Sequence, residues 1–208
     1  MSLSPGFILA ILLALSVHEW AHGYVASRLG DDTARMMGRL TLNPLAHLDL
    51  IGTVMFLIVG FGWGKPVPVD ASSFRHPRRD MALVAAAGPL SNLTLAFTAV
   101  FVWMALPALT VLPVPFFLLL EDFLQNSLFV NLGLMAFNLL PVAPLDGSKI
   151  LGLFIPYRYE AQYQDFMQRG PMILLFLLIG ERILGTPLIV GWIMFIINPV
   201  LSVMEKLM

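Results

Sequence analysis

Apolar residues in this chain gather into long runs, at 5–27, 48–63, 81–106, 112–140, 171–184 and 187–204, with short polar loops between them. No water-soluble fold of this size can cover so much hydrocarbon. Of 208 residues, 58% are hydrophobic and 12% are charged, against roughly 25% charged in an average soluble domain. A bilayer can, because lipid shields the outer surface of each run, and about 20 apolar residues cross a core of about 30 Å. The expectation is an all-α polytopic membrane protein with about five to six transmembrane or re-entrant helices.

The loops carry a second signal. Loop 28–47 holds Arg28, Arg35 and Arg39, and loop 64–80 holds Lys65, Arg75, Arg78 and Arg79. Short basic loops favour the cytoplasm. The run between them, 48–63, is short and interrupted by Gly52, Gly60 and Gly62. That length suits a re-entrant piece, which leaves both loops on the cytoplasmic side. The first run has no basic segment before it and reads as a membrane helix, not a cleaved signal. Tyr157, Tyr159 and Tyr163 mark one polar stretch as interfacial. A net charge of -1 gives no footprint for nucleic acid, and the absence of cysteine excludes thiolate metal sites. There is no internal repeat and no soluble second domain, so 1–208 reads as a single domain.

Inside the first run stands LSVHEWAHG, residues 15–23. Ionisable groups at membrane depth are expensive and rarely idle. His18 and His22 are four apart and share a helix face, so both imidazoles can reach one zinc ion, with Glu19 beside them. A catalytic zinc needs a third protein ligand and an open position for water. Glu121, Asp122, His47, Asp49 and Asp146 are candidates. Asp146 is best placed, because Pro141 and Pro144 break an apolar helix just before it, and irregular backbone at membrane depth must line a cavity or lie buried. A plain helix N-cap also explains an aspartate there. Two histidines and one carboxylate leave the metal centre positive, which favours a developing oxyanion. Glu19 can take a proton from water and pass it to a leaving amine. The residue types point to metal-assisted hydrolysis of a peptide bond.

Four blocks, HEWAH at 18–22, GRLTLNPLAHLDLIGT at 38–53, AGPLSN at 87–92 and NLLPVAPLDG at 138–147, together resemble the site-2 protease family of intramembrane zinc metalloproteases. The resemblance implies one zinc per chain, held by His18, His22 and Asp146, with Glu19 as catalytic base. It adds Asn138 and Asn92 as polar residues near the active site, whose amides could bind the bare backbone of a substrate strand. It places the catalytic core at about 5–156, with C-terminal helices at about 171–204. It also implies that the substrates are transmembrane proteins, cleaved within or near their membrane segments in regulated intramembrane proteolysis. The setting expected is a prokaryotic plasma membrane, with the active site nearer the cytoplasmic face.

Residues 37–42, MGRLTL, alternate as a strand does, so a small membrane-associated β hairpin is expected near 36–48, with an edge able to pair with substrate. The sequence departs from larger family members in holding no PDZ or CBS module. It also departs where Ser148 and Lys149 follow Gly147, a place where a second glycine is common. His47 has a structural reading as a loop residue beside a functional one. Two other functions compete: a metal-binding membrane transporter, and an inactive relative acting as a scaffold. A transporter needs ligands spread over more helices, and the full ligand set argues against the scaffold.

Overall fold

The computed structural model describes residues 3–60, 62–108 and 113–207, so the expected start of the fourth apolar run at 112 lies outside the described residues. The α-helices are α1 (Pro5–Arg28), α2 (Thr33–Met36), α3 (Leu50–Val59), α4 (Pro77–Ala105), α5 (Val114–Asn138), α6 (Asp146–Gly152), α7 (Glu160–Leu184) and α8 (Leu188–Glu205). Their ends follow local chemistry. Ser4 caps α1 by accepting from Phe7 N–H, with Pro5 in the first turn. Asp80 reaches back to His76 N–H at the start of α4 (3.0 Å). Gly185, at φ +66, ends α7 in the left-handed conformation.

α1, α4 and α5 pack pairwise into the core, α6 lies against α4, and α8 covers α5. The packing is that of a membrane bundle. Small residues face inward: Gly6, Ala10, Ala14, Ala21, Gly23 and Ala26 on α1, and Ala82, Ala85, Gly88, Ala96 and Ala99 on α4. Large apolar residues such as Leu9, Leu13, Leu90 and Phe101 face outward. Without a hydrophobic drive between helices in lipid, close backbone approach and buried hydrogen bonds hold them together.

Among the described residues, α1, α8 and the segment 77–108 are long and apolar enough to cross a membrane. The expected five to six helices therefore separate into classes. α5 and α7 have 25 residues each, long enough for a bilayer, but are more polar. α5 carries Glu121, Asp122, Asn126, Asn131 and Asn138.

α3 is shorter, and the chain returns from it to where it began. Leu48 and Gly64 form an antiparallel bridge, and Lys65 N–H donates to the His47 carbonyl (2.8 Å). Trp63 lies directly on α3: a Cβ on Gly52 would stand 2.1 Å from its carbonyl oxygen. The backbone before α3, at 47–48, is thus joined to that at 64–65.

The hairpin expected near 36–48 is not formed; no strand occurs there among the described residues. Pro44 has no N–H to continue a ladder, and side chains satisfy the backbone instead. Arg39 donates to the carbonyls of Lys65 and Pro66 (2.9 and 3.3 Å). Asn43 accepts from Leu45 N–H (3.1 Å), and the His47 imidazole bonds the Thr41 carbonyl (2.8 Å).

Candidate metal centre

The helical spacing of His18 and His22 puts both imidazoles on the face of α1 that meets α4 and α6. Their Nε2 atoms lie 3.0 Å apart. Asp146, the first residue of α6, brings Oδ2 to 3.3 Å from His18 Nε2 and 3.1 Å from His22 Nε2. All three residues are buried.

The far side of each imidazole fixes its tautomer. His18 Nδ1 meets Asn92 Oδ1 at 2.6 Å, and His22 Nδ1 meets the Val84 carbonyl oxygen at 2.7 Å. Both partners are acceptors, so each Nδ1 carries the hydrogen and each Nε2 presents a lone pair. Asp146 Oδ2 is buried and receives no hydrogen bond. Two nitrogen lone pairs and a carboxylate oxygen thus converge within 4.8 Å of one another. Left to themselves they repel. A cation among them removes the repulsion, and two imidazoles with one carboxylate are a donor set that zinc takes in catalytic sites.

The surroundings leave room for this. A Cβ on Gly88 of α4 would stand 2.5 Å from His22 Nε2 and 2.6 Å from His18 Cε1. Only glycine lets α4 pass so close to the imidazoles. Gly147 does the same for Asp146: a Cβ there would lie 2.2 Å from the Leu139 carbonyl oxygen, so the turn after α5 can fold directly onto the start of α6.

Glu19 is buried, and its Oε2 accepts from Val67 N–H (2.8 Å). The segment supplying that N–H is anchored further on, where Asp70 N–H donates to Asp31 Oδ2 (2.7 Å). Asp70 is itself held below the usual carboxylate range by the hydroxyl and amide of Ser72, which both donate to it.

Asn92 lies beside the centre. It is fully buried behind His18. Its oxygen meets His18, and its Nδ2 donates to the Ala14 carbonyl (3.2 Å) and to Asn131 Oδ1 (2.9 Å). Both N–H groups of its amide are thus engaged within the bundle, and its oxygen lies on His18. Asn131, in turn, donates to the Ser127 carbonyl (2.8 Å). Asn138 is half-buried at the end of α5 and donates to the Leu134 carbonyl (3.0 Å).

The other candidate third ligands do not join the cluster of His18, His22 and Asp146. Asp49 caps α3 through Gly52 N–H (2.8 Å). Asp122 receives Ser4 Oγ and Gly6 N–H at the opposite end of α1 (3.0 and 2.9 Å), with Glu121 beside it in sequence. His47 is a fully buried loop residue. Sequence reasoning missed Asn131, Gly88 and Val67. For Asn131 a signal existed: an asparagine seven residues before Asn138, on the same face of an apolar helix.

Residues 115–178 match the family described as Peptidase family M50. The chain is 40% identical to "Putative zinc metalloprotease YwhC" of Bacillus subtilis over 180 residues, 86% of this chain and 82% of that protein. It is 33% identical over 147 residues to "Putative zinc metalloprotease Rip2" of Mycobacterium tuberculosis, 67% of this chain but 53% of that relative's length. It is 28% identical over 196 residues to stage IV sporulation protein FB of Bacillus subtilis, 88% of this chain and 64% of that protein. No solved structure matches the chain.

Proposed function

Because the chain belongs to peptidase family M50, the site-2 protease family that its motifs resemble, we propose that it is an intramembrane zinc metalloprotease that hydrolyses peptide bonds within or near the transmembrane segments of other proteins. The observation that carries this is the meeting of two imidazole lone pairs and an unpartnered carboxylate oxygen inside a membrane bundle.

On this reading His18, His22 and Asp146 hold one zinc ion per chain. When bound, zinc supplies a Lewis acid for a carbonyl oxygen and lowers the pKa of water to about 7. The protein residues do the rest. Val67 N–H fixes one oxygen of Glu19. The other oxygen takes the proton of the attacking water and gives it to the leaving amine nitrogen as the peptide bond breaks. Asn92 keeps His18 in the tautomer that binds. Asn138 accepts no hydrogen bond at Oδ1 among the described residues, and it offers that oxygen to a backbone N–H of the extended substrate.

The membrane arrangement follows from charge. α3 is re-entrant, α1, α4, α5 and α8 cross the bilayer, and the apolar part of α7 is embedded beside them. Loops 28–47 and 64–80 then share the cytoplasmic side of a bacterial plasma membrane. The centre lies nearer that side, because His18 and His22 sit in the second half of α1. The 208 residues act as one domain, with the core at 5–156.

The test uses the purified full chain in detergent or liposomes with Glu19→Gln. Zinc content and cleavage of a reporter with one helix-destabilised transmembrane segment are measured. We expect about one zinc in both proteins and cleavage by the wild type alone. Cleavage unchanged in Glu19→Gln, or zinc flux into liposomes without cleavage, overturns the reading.

A further inference from the structure

The two oxygens of Asp146 meet different partners. Oδ2 faces the histidines, at 3.1 and 3.3 Å, and receives no hydrogen bond. Oδ1 lies 3.5 Å from the Lys149 ammonium. Lys149 follows Asp146 by three residues, so the turn of α6 sets both side chains on one face. That turn is firmly held. Ser148 Oγ donates to the Leu145 carbonyl (2.6 Å), and Tyr163 Oη on α7 donates to the Ser148 carbonyl (3.1 Å). Gly147 sits against the Leu139 carbonyl. The Lys149 side chain is 37% exposed and the Asp146 side chain 7%, so the ammonium stays in reach of water while its partner does not.

With its ammonium this exposed, the pair adds little to folding. Its consequence lies in the carboxylate. A free aspartate can give zinc one oxygen or both, and a second oxygen would take the position that a catalytic zinc leaves for water. We propose that Lys149 is a positioning residue that holds Asp146 Oδ1, so that the carboxylate offers Oδ2 alone and the open position of the metal is kept for water and substrate. The proposal rests on the assignment of His18, His22 and Asp146 as zinc ligands.

The test compares the full-length wild type, Lys149→Met, Lys149→Gln and Lys149→Arg, each loaded with zinc or with cobalt(II) in detergent. Coordination is read by X-ray absorption at the zinc edge and by the visible spectrum of the cobalt form, and cleavage is measured alongside. We expect wild type and Lys149→Arg to share one coordination number. In Lys149→Met and Lys149→Gln it should rise by about one as both carboxylate oxygens bind, with weaker cobalt absorption and a lower kcat at unchanged KM. Spectra identical in all four metal-loaded proteins would overturn the proposal while leaving the zinc reading intact. A lower kcat in both neutral variants with an unaltered metal spectrum would also overturn it, by placing Lys149 on the substrate. A wild type that holds no zinc overturns the ligand assignment and this inference with it.

Discussion

Asp122 and Asp146 are aspartates in the same bundle, each at a helix end, and they do opposite things. Asp122 sits at the N-terminal end of α1, where Ser4 Oγ and Asn126 Nδ2 donate to Oδ1 and Gly6 N–H to Oδ2. Its charge is answered by hydrogen bonds and by the positive end of a helix. Asp146 heads α6, where Oδ2 has no donor and points at two imidazole lone pairs. Asp31, Asp49 and Glu181 follow the first pattern, each accepting from backbone N–H groups. In an apolar chain, then, an acid whose two oxygens are both met by donors, as in Asp122 and Asp31, reads as structural. An acid is a ligand candidate where its lone pairs face other lone pairs.

The largest effect expected from this contrast is on metal content. Asp146→Ala should take zinc from about one per chain towards none and abolish cleavage, with the helices intact by circular dichroism. Zinc retained in full would place the third ligand elsewhere and end the contrast. Gly88→Ala comes next. Its methyl group would stand 2.5 Å from His22 Nε2, so an imidazole must move, and zinc affinity should fall by about a hundredfold. Equilibrium dialysis against a chelator of known affinity measures this, and an unchanged affinity would show that the imidazoles do not need that space. Asn92→Ala removes the acceptor behind His18, together with the bonds to Ala14 and Asn131, and should weaken zinc about tenfold to a hundredfold, as outer partners of metal ligands usually do. If Asn92 instead bound substrate, KM would rise and zinc affinity would hold.

How much of this was legible beforehand divides by range. HEWAH could be read because helical spacing alone decides which side chains share a face. Asp146 could be read because prolines mark the break before it. The shortness of the helix at 48–63 was visible in its glycines, of which Gly60 ends α3. The hairpin at 36–48 misled because alternation at 37–42 is a local signal. Whether a ladder forms depends on partners: His47 bonds the Thr41 carbonyl of that stretch, while Arg39 reaches across to the carbonyls of Lys65 and Pro66. Asn92 was located near the site, but its direction was set by Ala14 and Asn131, which are distant in sequence. Asp122 and Asp49 could not be separated from Asp146 by residue type, since only tertiary contacts reveal which lone pairs are already answered.

The smallest effect is the one that most sharpens the contrast. Asp122→Ala leaves Ser4 to cap α1 through Phe7 N–H, but it strips Gly6 N–H and Asn126 of their shared acceptor. Loss of a capping acceptor costs about 0.5–2 kcal/mol. A small drop in Tm in detergent is therefore expected, with zinc affinity and cleavage unchanged. The methyl group that replaces the carboxylate fits, because Gly6 already yields its space to Asp122 Oδ2. Should Asp122→Ala weaken zinc as much as Asn92→Ala does, the two ends of α1 would be coupled through the helix. The division between a structural carboxylate and a ligand carboxylate would then be one of degree. Stability lost without loss of metal would locate the function of α1 in the half that carries His18 and His22.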